Sequence, residues 1–311
     1  MTKLKIGLAL GSGSSRGWCH IGVINALTEQ GIEPDIVCGT SMGALIGASY
    51  ASNNLPQLEK WASSLSKFET ARMFDINSAL NGFVNTRRLH HLMHEYVADN
   101  TAVIENMSKR FACVATDLET GREIWHTKGS VLDAVWSSIS LPGLFPAIHK
   151  DDKWMVDGGL VNPVPVSVCR ALGAHVVIAV NLNGDIVGKR FRRPEQDTQN
   201  GINNDETKES GENGLVDKFA GIMEGYKLSL FSTKKNHNQS PSLFETIASS
   251  VNITQDRITK SRMGGDPPDI LINPRLSHIG LLELYRAKEA IEEGESTVKR
   301  MMPEIKRVLD M

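Results

Sequence analysis

Ile36-Val37-Cys38-Gly39-Thr40-Ser41-Met42-Gly43-Ala44-Leu45-Ile46-Gly47-Ala48 reads as a short buried strand that turns at a serine into an apolar helix. A Gly-x-Ser-x-Gly turn in that setting is a nucleophile elbow, in which the serine is held in a strained backbone and the glycines, here Gly39 and Gly43, let helix and strand approach closely. A second match, Gly13-Ser14-Ser15-Arg16-Gly17, follows the apolar run Lys5 to Leu10 and also opens a helical stretch. The two differ in character. The earlier one lies in a glycine and serine stretch from Gly11 to Gly17, suited to a wide loop that turns several backbone N–H groups toward an anion. The later one is tight and flanked by small apolar residues. Acyl transfer needs one of each, a nucleophile and a donor cradle for the oxyanion. Ser41 rather than Ser15 is therefore the predicted nucleophile. Ser12, Gly13, Ser14 and the Met42 N–H are the predicted oxyanion hole, supported by Gly11, Arg16 and Gly17.

A serine needs a base within hydrogen-bond reach. Asp157, in Lys153-Trp154-Met155-Val156-Asp157-Gly158-Gly159, ends a strand and is followed by two glycines that permit close backbone approach. The competing reading is a hairpin turn, since Asp-Gly between apolar runs is a strong hairpin signal. At a reference pKa of about 3.9 an aspartate is a weak base, so the catalytic reading requires burial or fixed geometry.

Strand candidates Lys5–Leu10, Asp35–Thr40, Arg110–Thr116, Glu123–His126, Lys153–Val156 and His175–Leu182 alternate with helical patterns over Arg16–Gln30, Met42–Ser52, Leu55–Ser66, Thr86–Val97, Val131–Ser138 and Pro163–Leu172, the last with Asn162-Pro163 as a fitting cap and first turn. Such alternation predicts an α/β fold with a mostly parallel sheet covered on both faces. Residues 1–183 are expected to form the catalytic core, 184–214 a flexible polar insertion, and 215–311 a C-terminal part with a late strand near 269–272 and a polar helix from about Leu281.

With 311 residues, 41% hydrophobic, 23% charged and a formal net charge of -2, the chain has no basic balance pointing to nucleic acid. Cys19, Cys38, Cys113 and Cys169 are scattered, without zinc-ligand spacing, and read as reduced thiols of a cytoplasmic protein. No stretch is long and apolar enough to span a bilayer. Lys189-Arg190-Phe191-Arg192-Arg193, followed by Leu215, Phe219, Ile222, Met223, Tyr226 and Leu230 at helical spacing, composes a candidate peripheral membrane contact over 189–230; a solvated linker before a core-packed helix is the weightier alternative.

Five blocks in register carry a family resemblance: Arg16-Gly17, His20-Ile21-Gly22-Val23, Gly39 to Gly43, Ser138-Ile139-Ser140-Leu141-Pro142-Gly143-Leu144-Phe145-Pro146 and Asp157-Gly158-Gly159. In that order they resemble the patatin-like phospholipases, and more closely the branch holding neuropathy target esterase and bacterial RssA-type proteins. The resemblance covers roughly Lys3 to Asn181. It implies a three-layer αβα fold like that of cytosolic phospholipase A2 and a Ser41–Asp157 dyad without histidine. It also implies a lipid or acyl-ester substrate and no cofactor or metal. Where that family carries consecutive glycines, this chain has Ser12, Gly13 and Ser14, so a serine at positive φ would strain or reshape the loop.

Three rival readings stay open at this stage. A Ser-His-Asp triad would add His175 or His278 after Asp157. Gly11, Gly13 and Gly17 after a first strand suit a nucleotide-binding module, although no acid ends the second strand and no Walker sequence is present. A catalytically silent scaffold of the same fold is the third. His90, His91 and His94 share helical spacing, but an exposed face explains them better than a metal site.

Overall fold

The computed structural model describes residues 4–73, 86–186 and 243–311. The basic run at 189–193, the apolar stripe at 215–230 and nearly all of the 184–214 insertion lie outside these described residues.

Along β1 (Ile6–Leu10), Leu8 and Leu10 belong to one apolar cluster and Ala9 to another. The same alternation holds along β2 (Ile36–Thr40), where Val37 faces the first cluster and Ile36 and Cys38 the second, and along β3 (Arg110–Asp117), where Phe111 and Cys113 oppose Ala112 and Val114. Period-two division between two cores means a sheet buried on both faces. Each cluster is then covered by helices, giving three layers. One face is covered by α1 (Cys19–Glu29), α2 (Met42–Ala51), α3 (Leu55–Ser64), α5 (Thr86–Tyr96), α6 (Val131–Ile139) and the terminal helix α9 (Ala287–Val308); the other lies against α7 (Val166–Ala171) and the end of α8 (Leu243–Gly265).

The described sheet has eight strands, in the order β5-β6-β3-β2-β1-β7-β8, with β4 also paired to β3. The centre, β3, β2, β1, β7 (Val176–Val180) and β8 (Ile270–Ile272), is parallel. β4 (Glu123–His126) and β6 (Lys153–Asp157) run antiparallel to β3, and β5 (Ile148–Lys150) runs antiparallel to β6. Close helix packing completes the first face: a Cβ on Gly22 of α1 would overlap the Ile291 carbonyl, and one on Gly294 would overlap the Cys19 carbonyl. The glycine of the His-x-Gly-Val block thus seats the terminal helix.

The expected strands appear within one or two residues of their predicted ends, and Glu123–His126 agrees at both. The helices differ more. The stretch predicted as a helix from Arg16 begins as a tight 3-10 turn, Ser14–Trp18, before α1. The helix expected from Pro163, with Asn162 as its cap, starts only at Val166. The reason is that the 162–163 backbone is committed elsewhere: Thr40 Oγ1 donates to the Asn162 carbonyl at 2.8 Å and the Ser12 N–H to the Pro163 carbonyl at 2.8 Å. The Asn162 side chain reaches Glu123 instead of capping. The last helix begins at Ala287, not Leu281, because Leu281, Leu282 and Leu284 line the cavity described below. Three elements had no placed sequence expectation, α4 (Lys67–Met73), α8 and β5.

Candidate active site

Ser41 stands between β2 and α2 with φ 56° and ψ -123°, the strained conformation that an elbow demands. Steric need for both flanking glycines is direct: a Cβ at Gly43 would overlap the Leu10 carbonyl, and one at Gly39 would overlap the Gly43 carbonyl. The Ser41 N–H is held by Ser138 Oγ at 3.0 Å, so the first serine of the Ser138 to Pro146 block positions the elbow.

Asp157 reaches Ser41 through the sheet. Register pairs Thr40 with Val114 and Ala115 with Asp157, which sets the end of β6 level with the residue after β2, across β3. Ser41 Oγ donates to Asp157 Oδ2 at 2.6 Å, and the Gly159 N–H donates to Oδ1 at 2.7 Å. Asp157's backbone is fixed as well, its N–H donating to the Ser140 carbonyl at 2.9 Å and its carbonyl accepting from Thr116 Oγ1 at 2.8 Å. Burial pushes the carboxyl up to about 6, against the pull of the Ser41 and Gly159 hydrogen bonds. The hairpin of this region lies upstream, where Asp151 and Asp152 at φ 51° and 57° join β5 to β6; Asp157-Gly158 runs instead into a 3-10 turn, Gly158–Leu160.

The Gly11 to Gly17 loop lies beside the pair. Its Ser12 N–H is spent on Pro163, so Ser12 is set aside as an oxyanion donor; the Ser15 and Arg16 N–H groups go to the Leu281 and Gly13 carbonyls. Among the described residues the Gly13 and Ser14 N–H groups have no backbone acceptor, and both residues line the cavity with Met42, whose N–H opens α2. Only Ser14 of the two substituting serines has positive φ, at 48°. Ser15 Oγ is turned away, donating to the Leu281 carbonyl at 2.8 Å. His20 is fully buried with Nε2 2.7 Å from the Gly11 carbonyl; burial lowers its pKa to about 4, so a neutral ring donates from Nε2 and braces the loop.

Sequence reasoning missed a buried polar network behind this loop. Ser12 Oγ donates to Gln255 Oε1 at 3.0 Å, Asn183 Nδ2 donates to both, and Arg16 Nη2 reaches Asn183 and Asn252. Gln255 and Asn252 lie on α8, where buried Asn252, Gln255, Asp256 and Thr259 recur at helical spacing; that polar stripe was the available signal.

Ser41 and Asp157 open onto a cavity enclosing about 1050 Å³ of empty space, part of it open to solvent. Its walls are mostly apolar, including Trp61, Leu92, Leu144, Phe145, Leu282 and Leu284, with Arg16 and Arg88 the described cations among them. The histidines considered as triad members are elsewhere. His175 Nδ1 accepts from the Lys5 N–H, and His278 pairs with Glu289, both at exposed positions. His90 stacks on Trp136 and His91 pairs with Glu95; no metal-binding group of His, Cys, Asp or Glu occurs among the described residues. All four cysteines are free and buried. Among the described residues no helix is long and apolar enough to cross a membrane.

Comparison with known proteins adds a family to this geometry. The chain is 26% identical to an NTE family protein of Mycobacterium tuberculosis, across 94% of this chain and 89% of that one. It is 32% identical to the neuropathy target esterase sws of Drosophila melanogaster and 34% identical to the lysophospholipase NTE1 of Mycosarcoma maydis, each match taking in 58% of this chain. Those two are much longer, and the matched stretch is 13% and 10% of their length. A family model described as patatin-like phospholipase matches residues 8–170. That span holds the loop, the elbow, the Ser138 to Pro146 block and Asp157, and it exceeds half of the chain: the protein belongs to the patatin-like phospholipase family.

Proposed function

We propose that the protein is a serine acyl hydrolase of the phospholipase A, lysophospholipase or esterase type, cleaving fatty-acyl esters through a Ser41–Asp157 dyad. The observation that carries this reading is the 2.6 Å Ser41–Asp157 hydrogen bond at the wall of a largely apolar cavity. The names of the similar proteins, an esterase and a lysophospholipase, favour a lipid ester.

Asp157 takes the Ser41 hydroxyl proton as Oγ attacks the acyl carbonyl. Burial disfavours the carboxylate, so proton transfer relieves a desolvation cost during the step that needs it. The Gly13, Ser14 and Met42 N–H groups hold the oxyanion, with the partial positive end of α2 adding to the field. Collapse expels the alcohol, which receives the proton from Asp157. Water then attacks the acyl-enzyme with Asp157 as base again, releasing fatty acid. Leu144 and Phe145 of the Ser138 to Pro146 block give the acyl chain apolar surface. The free cysteines suit a reducing, cytoplasmic setting.

A fluorophosphonate probe with peptide mapping tests the nucleophile: labelling is expected on Ser41 and to disappear in Ser41→Ala. Labelling of Ser15, or none in active protein, would refute the dyad. A panel of phospholipids, lysophospholipids and glycerides then ranks the esters.

A further inference from the structure

The carbonyl of Leu281 is the most heavily used acceptor beside the site. It takes Ser14 Oγ at 2.5 Å, Ser15 Oγ at 2.8 Å and the Ser15 N–H at 3.3 Å, three donors for an oxygen with two lone pairs. Two of those donors are hydroxyls, and one belongs to Ser14, which lines the cavity and whose backbone sits at φ 48°. Glycine there would have no hydroxyl to offer. The loop is thereby tied to a strap, residues 277–284, that lies more than a hundred residues beyond the span matched by the family model.

That strap also walls the cavity, because Leu281, Leu282 and Leu284 line it. Leu282 is buried in one cluster with Leu144, with Phe145 and Leu89 packed around them. From behind, Arg286 braces the strap: its Nη1 donates to the His278 carbonyl at 2.8 Å and it pairs with Glu283 and Glu289, while Glu283 accepts the Gly280 N–H at 2.8 Å. One short segment therefore touches both the bound chain's apolar wall and the donors for the oxyanion.

We propose that Ser14 and Ser15 are positioning residues that latch the oxyanion loop to the 277–284 strap, so that a long acyl chain filling the cavity steadies the loop and raises turnover. The proposal rests on the hydrolase reading for its substrate, while the latch itself is a property of the fold. A chain that packs against the strap leucines restrains the Leu281 carbonyl and through it Ser14; a short chain leaves the strap without that support. Acyl length is read in kcat as well as in KM, because displacing the donors by a fraction of an ångström weakens transition-state contacts more than ground-state binding.

The test uses the full chain, a Ser14→Ala/Ser15→Ala double variant and Arg286→Gln, which loosens the strap from its far side without touching the loop. Hydrogen exchange at residues 281–284 is measured together with kcat and KM for p-nitrophenyl butyrate and palmitate. Both variants are expected to exchange faster there, and their palmitate-to-butyrate kcat ratio is expected to fall by about tenfold with KM changed by less than about threefold. Unchanged exchange, or an unchanged kcat ratio in a variant that folds, overturns the proposal. If the wild type turns over no ester and takes no fluorophosphonate, the hydrolase reading fails instead. The latch is then judged on exchange alone, faster exchange supporting it and unchanged exchange overturning it.

Discussion

At Asp157, the activity proposed for the dyad and the stability of the fold pull in opposite directions. The folded protein holds this carboxyl at about 6 against a reference of 3.8, so between those values the folded state binds more protons than the unfolded chain. Stability from this group is therefore fully present below about 3.8 and is lost as pH rises through about 6. Above that, a buried carboxylate costs on the order of 3 kcal/mol at 1.36 kcal/mol per pKa unit. Asp157→Asn keeps the shape and removes the charge. It is expected to abolish ester turnover, by roughly a thousandfold or more, while raising the urea midpoint at about pH 8, with the gain disappearing as pH falls through the same window. A variant no more stable than wild type at alkaline pH would mean that the carboxylate is not penalised. In the wild type, kcat/KM is expected to fall as pH drops through about 6, since only the ionised carboxylate accepts the proton. Both residues of the pair were legible in the sequence because each sits in a glycine context that serves a backbone need. What was not legible was Ser12: whether its N–H is free depends on the Pro163 carbonyl, a partner 151 residues away.

At the scale of elements, the strand-turn-helix unit around Ser41 was readable because its glycines are fixed by contact. Gly43→Ala would drive a methyl into the Leu10 carbonyl on the neighbouring strand, backbone that cannot yield without moving β1. The expected cost is about 3 kcal/mol or more, measured as a lowered urea midpoint, with any residual folded protein losing fluorophosphonate labelling. A tolerated alanine would contradict the close approach of α2 to β1. Buried strands were readable for a related reason: five-residue apolar runs between turn signals leave few alternatives. Helix starts were less so. Asn162-Pro163 has the composition of a cap and first turn, yet tertiary hydrogen bonds from Thr40 and Ser12 claim that backbone and delay α7 to Val166. Strand β5 has three residues, too few for any periodicity to register.

Over the whole molecule, the half of the site that lay beyond sequence reasoning is the half assembled by distant chain. Nothing local to Asn252 or Gln255 says that α8 returns to the loop before α1, because that contact exists only once β8 has joined the sheet beside β7. Gln255→Ala should show the link. It removes the acceptor for Ser12 Oγ and Asn183 Nδ2 in a buried setting, at an expected cost of about 1–3 kcal/mol in stability. A loss of kcat exceeding any rise in KM would accompany it; a neutral substitution would mean that the network carries no load.

The response of the whole fold to acid follows from groups on different elements. His20 and His126 are each lowered by burial to about 4 from 6.5, so the unfolded chain binds their protons first, and the stability they contribute is lost as pH falls across that window. Asp157 acts the other way between about 6 and 3.8. Two groups oppose one over nearly the same range, and acidification below about pH 6.5 is expected to destabilise the protein on balance. Replacing Asp157 by Asn removes the opposing group, so the variant's urea midpoint should fall more steeply with acid than the wild type's even though it starts higher. Parallel curves for the two proteins would show that Asp157 titrates alike in the folded and unfolded chains, and the burial argument for its role as base would fail with it.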